Sequence, residues 1–185
     1  MVINEMYCQY KGKVYRCSLN RDCAYVRSND KNDFLNNQFI SNPGLEDLKI
    51  KDYSAYLKEC SLPFGPGKYF KKIPIADIDW FCYVFTVGYY KECEVSIRWE
   101  ENGKYKIDIS NVSNPNSKEY KVFTTENGFR MYDRYDWCGD VPKSEVQNIV
   151  QMVGPESPDL KAPDNWDFQI PGDDNEFPRR VVPYE

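Results

Sequence analysis

Polar and apolar side chains alternate along "ECEVSIRW", residues 92–99, and the turn "ENG" separates this run from "KYKIDIS" at residues 104–110. A period of two around a Gly-containing turn predicts a β-hairpin over residues 92–110. "MYCQYKGKVYRCS" reads as a second hairpin with Lys11-Gly12 at its turn, and "DCAYVRS" supplies a third strand. "WFCYVFTVGYY" is apolar and strand-length, "YKVFTT" reads as a strand and "ENGF" as a turn. "SEVQNIVQMV" sets Val146, Ile149, Val150 and Val153 at i, i+3, i+4 and i+7, which predicts a one-faced helix behind Pro142. The polar, Asn-rich stretch at residues 28–44 predicts a long loop. "YSAYLKECSL" fits either a short helix or a strand, and "PFGPGKYF" a turn.

Two stretches share a pattern. Ile73-Pro74-Ile75-Ala76-Asp77-Ile78 lies 68 positions before Val141-Pro142-Lys143-Ser144-Glu145-Val146, with aliphatic, proline, acid and aliphatic positions in common. Upstream, "YVRSN" at residues 25–29 and "IDISN" at residues 107–111 match at an offset of 82, which requires about a dozen extra residues in the first half. Hairpins closed by an aliphatic-Pro element resemble tandem SH3-like small barrels. The expected fold is mainly β. It is either two such units, residues 1–79 and 80–153, or one α+β domain, followed by an extended tail from residue 154 to 185.

Composition sharpens this picture. With 15 Tyr and 10 Phe the chain leans towards β-structure. No apolar run approaches the length of a membrane span, and no basic-then-apolar leader opens the sequence, so a soluble protein of a bacterial cytosol is expected. Seven cysteines without a secretory leader read as buried free thiols, although Cys17 and Cys23 bracket a loop and could face each other across a hairpin. No CxxC and no histidine are present, so no metal site and no cofactor are expected. The net charge of −5 sits in the tail, where eight acids meet three bases from Gly154 onward. A neutral body with an acidic tail excludes a phosphate-binding surface, hence nucleic acid, and suits a basic protein partner.

Six of the twelve prolines fall in that tail, which favours extended chain. Trp166, Phe168 and Ile170 share one side of the extended "NWDFQI". They either dock on the protein's own body or join a partner's sheet edge, with Asp167, Asp173 and Asp174 facing its basic surface. Elsewhere, Asp133 and Asp136 stand among Tyr132, Tyr135 and Trp137, as paired carboxylates in sugar sites do. Glu100-Glu101 reads as solvated turn residues. "GPGKY" lacks the Ser or Thr that a phosphate loop places after its Lys. No cysteine has a histidine base, so no catalytic residue is assigned.

Small size, acidity, β-rich character and the lack of a catalytic constellation resemble the immunity proteins of bacterial toxin systems in general character. That resemblance implies a cytoplasmic protein that occludes a cognate, often basic, toxin. Because it rests on no motif, it assigns no residue. Two alternatives remain open: an SH3-like adaptor binding peptides through Tyr7, Tyr10, Tyr15 and Tyr25, and a carboxylate hydrolase using Asp133 and Asp136.

Overall fold

The structure, a computed structural model, describes residues 2–41, 69–171, 173–174 and 176–182. The expected helix or strand at residues 53–62, most of the glycine turn before Tyr69 and the end of the Asn-rich stretch lie outside them. The chain is mainly β and divides into two units. The first comprises Met6–Cys82 and Pro155–Gly172, the second Met1–Glu5, Tyr83–Gly154 and Asp173–Glu185.

In the first unit β1 (Asn4–Tyr10), β2 (Lys13–Asn20) and β3 (Cys23–Ser28) form an antiparallel meander. A short helix, α1 (Lys31–Asn36), and β4 (Ile40–Ser41) precede β5 (Tyr69–Pro74), which pairs with β3 on one side and β4 on the other. A 3₁₀ turn over Ile75–Asp77 then leads into β6 (Trp80–Tyr90), and the Asp79 amide donates to the Gln9 carbonyl of β1 at 2.8 Å.

The second unit repeats this plan. Its meander is β6, β7 (Cys93–Glu101) and β8 (Lys104–Ile109), followed by α2 (Lys118–Val122) and β9 (Arg130–Asp133). β10 (Asp136–Pro142) pairs with β8 and β9, and a 3₁₀ turn over Lys143–Glu145 leads into β11 (Val146–Gly154), which returns beside β6. Corresponding residues occupy corresponding ladder positions. Cys23 lies opposite Pro74 as Lys104 lies opposite Pro142, and Cys17 opposite Val26 as Ile97 opposite Ile107. The cores match in the same way, Val26, Ile73 and Ile78 in one cluster against Ile107, Val141 and Val146 in the other. The strand offset is thus 81, one less than the sequence match of "YVRSN" with "IDISN" implied.

Several expectations change. Residues 146–154 are a strand, because a bulge between Gln147 and Val150, with Asn148 at φ 51°, flips the phase of a β-branched run and imitates helical spacing. Residues 118–122 are helical because the Ser117 hydroxyl caps them, accepting from the Tyr120 amide. Asp30 likewise caps α1 inside the stretch read as loop. Among the described residues no pairing closes either sheet into a barrel. The reason is local: β4 and β9 occupy the outer edges of β5 and β10. Cys17 and Cys23 stand opposite Val26 and Asn20, not each other, and the six described cysteines are free and buried.

The tail is not a separate segment. Its first part belongs to the first unit, where Leu160 packs on the core and Phe168 lies 4.6 Å from Trp80, ring to ring. Its last part belongs to the second unit, where β12 (Arg179–Val181) pairs in parallel with β11. Apolar side chains at alternate positions bury too much surface to stay in water.

Close packing at Gly139 gives a test. A Cβ there would stand 2.5 Å from the Phe129 ring, which packs against Tyr90 and Phe123. Gly139→Ala is expected to lower stability by about 1–3 kcal/mol in urea denaturation, through overpacking. An unchanged midpoint would show that the aromatic cluster yields freely.

Candidate functional site

Within β7 the inward positions Cys93, Val95 and Ile97 predict that Trp99 follows them into the core. It does not. A register shift between Ile97 and Trp99 sets Trp99 opposite Lys106, on the outer face, where it is 53% exposed. This extra residue makes β7 one residue longer than β2. The bulge is held by Asn4, whose side-chain amide donates to the carbonyls of Ile97 and Arg98 at 2.6 and 2.9 Å, while its Oδ1 accepts from the Thr86 amide. A bulge pinned from outside its own hairpin re-aims a side chain durably.

Trp99 borders a cleft of 830 Å³, and Glu100, Glu101, Asn102, Lys143, Val2, Asp174 and Glu176 complete the lining; ligand pockets generally span about 300–1,000 Å³. The lysine of the lining is engaged: Lys143 Nζ lies 2.8 Å from Glu100 and 5.2 Å over the Tyr105 ring. Its bond to Glu100 is the main reason its pKa is raised, so it stays charged. On the other side, Lys106 Nζ stands 5.7 Å from the Trp99 ring centre and 3.5 Å from Asp140. With Glu100 already holding Lys143, a basic side chain arriving here would meet an acidic lining beside an exposed indole that can cover its aliphatic part.

Of the residues expected to bind a partner, Asp174 alone lines this cleft. Asp173 is buried, paired with Arg179 and within 3.4 Å of the Gln151 amide, so it serves the second unit's own core. Ile170 is fully buried, and the half-buried Phe168 lies against Trp80 with the ring planes tilted by 41°. Trp166 lies 6.5 Å from the Phe168 ring, and Asp167 is exposed, its amide bonded to Asn165 Oδ1. Asp133 and Asp136 face each other across the β9–β10 turn. Asp133 Oδ1 accepts from the Arg134 amide and Asp136 Oδ1 from the Asn111 amide, so both shape the hairpin. Tyr7, Tyr15 and Tyr25 are buried, which removes the expected aromatic groove. Sequence reasoning read Glu100-Glu101 as solvated turn residues and singled out neither Trp99 nor Glu176. The one available signal was "RWEE", a tryptophan beside paired acids ahead of a turn.

A second polar cluster lies in the first unit. Asp33, 1% exposed, accepts from Tyr15 and Asn37 on Oδ1 and from Lys13 and Ser28 on Oδ2. Four donors fill the carboxylate's acceptor sites, so it fastens α1 to β2 and β3 and has no capacity left as a base. Burial alone would raise its pKa, but the four donors outweigh it and the carboxyl titrates below its ordinary range. A depressed folded pKa means stability that is present above the unfolded value and lost as pH falls through the folded one. D33N is expected to cost about 2–3 kcal/mol near neutral pH. That gap narrows in acid, as read from unfolding midpoints across a pH series. A gap independent of pH would show that shape, not charge, fastens the helix.

The fold and cleft define a mainly β protein with a duplicated unit and one acidic, tryptophan-bearing face in the second copy. The chain belongs to the family described as Uncharacterised conserved protein UCP033725, whose model matches residues 2–156. That span includes Trp99, Glu100 and Glu101 and stops before Asp174 and Glu176. No curated protein and no solved structure matches the chain.

Proposed function

We propose that this protein is a cytoplasmic binding protein that covers a basic protein partner, as an immunity protein covers a cognate bacterial toxin. The observation that carries this reading is the bulge-driven exposure of Trp99 beside Glu100, Glu101, Asp174 and Glu176. An exposed indole loses transfer free energy of about 2 kcal/mol relative to burial, a cost that a binding role explains. The surrounding acids speed encounter with a basic surface, and the indole lengthens the life of the complex. The two repeats, each ending in a proline-led 3₁₀ corner, support an open variant of the tandem SH3-like architecture.

The test uses the full chain and a W99A/E100K/E101K variant as parallel baits, with thermal unfolding as the control for folding. A basic protein retained by the wild type is then titrated against both. Affinity is expected to fall at least about 30-fold in the variant and to weaken with salt in the wild type. Equal affinity for both baits, or a partner without a basic surface, would overturn the proposal.

A further inference from the structure

One ladder position carries opposite charges in the two repeats. In the second unit it is Asp108, opposite Ser96 in β7, and an ion pair with Arg98 of the same hairpin balances it. In the first unit the matching residue is Arg27, and the residue directly opposite in β2 is Arg16. Two like charges facing each other across a ladder cost stability. Arg27 is also 9% exposed, and its guanidinium is aimed by the Cys17 carbonyl, which accepts from one terminal nitrogen at 3.0 Å.

A cleft of 450 Å³ opens beside this rung, within the first unit. Arg16, Arg27, Ser28, Asn29, Lys13 and Asp30 line it, and Pro171 of the tail borders it. Lys13 Nζ lies 2.8 Å from both Asp30 and Asp33, so that network takes up its charge. The positive charge of the lining beyond that network is the arginine pair. A body that is neutral on average still holds this local concentration of positive charge, which its net charge conceals.

We propose that the cleft binds a phosphate group, free or carried by a small molecule, between Arg16 and Arg27. A guanidinium presents its N–H donors as a planar fork that matches phosphate oxygens two at a time. Neighbouring strands lie about 5 Å apart, so two such forks reach one tetrahedral anion from two sides. Their two charges match a phosphate monoester, which carries about −1.5 to −2 near neutral pH. A carboxylate carries one. The cleft exceeds what a bare phosphate fills, which leaves room for an organic part. It shares no residue with the acidic cleft of the second unit.

The full chain is titrated with inorganic phosphate and, separately, with glycerol 3-phosphate, sodium chloride holding the ionic strength constant. Binding is read from the arginine Nε–H resonances in ¹⁵N spectra. R16Q and R16K are titrated alike, the second keeping the charge without the fork. R21Q, which removes an arginine outside the cleft, is the control, and thermal unfolding checks that every variant is folded. Two arginine resonances are expected to move together and saturate in the wild type and in R21Q. R16Q is expected to bind at least about 10-fold more weakly, with R16K between the two. Tighter binding of the ester names an organic phosphate as the ligand and equal binding names free phosphate; both support the site. Resonances that shift without saturating, or folded R16Q and R16K that bind as tightly as the wild type, would overturn the proposal.

Discussion

One backbone hydrogen bond recurs in both repeats, and the course of every later strand depends on it. The amide of the residue after proline donates to the second residue of the hairpin turn: Ile75 to Asp22 at 3.1 Å, Lys143 to Gly103 at 3.2 Å. The prolines make this corner possible. Pro74 and Pro142 hold φ at −55° and −57°, and each closes the ladder with its neighbouring strand, opposite Cys23 and Lys104. At a ladder's last rung a missing N–H costs little, and a fixed φ stops the strand from running on. The chain turns through one 3₁₀ turn and comes back beside the first strand of its own repeat.

Given that frame, the two copies diverge by small edits. One inserted residue in β7 moves Trp99 from the core face to the outer face, and the same edit leaves two carbonyls that the hairpin does not pair well. Asn4 satisfies both from another strand of the unit. A bulge with a dedicated polar partner is held against relaxation. The first copy has no bulge between β2 and β3, whose register runs unbroken from Arg16 to Asn20.

The meanders were legible because hairpin turns announce themselves: Lys11-Gly12 and Asn102-Gly103 both take the positive φ that such turns demand. The proline corner was legible as a repeat because its geometry admits few residue types. What stayed hidden were changes of phase. The bulge at Asn148 turned a strand's alternation into apparent helical spacing, and the bulge before Trp99 hid a surface residue among core positions. A one-residue slip inverts every side chain beyond it, and no local pattern reveals where it occurs. The tail misled for another reason. Proline density forbids helix but says nothing against docking, and Ile170 is as buried as any core residue.

The repeats also fasten their helices by opposite means. α1 is tied through the buried carboxylate of Asp33 to Lys13, Tyr15, Ser28 and Asn37. α2 ends at Phe123, which packs edge-on to Phe129 and Tyr90, with Asn127 closing the turn through the carbonyls of Lys121 and Val122. A charge network is sensitive to pH and directional, so it fixes one geometry but weakens in acid. An aromatic cluster is indifferent to pH and tolerates small shifts. The unit bearing the acidic cleft therefore rests on the lock that does not titrate.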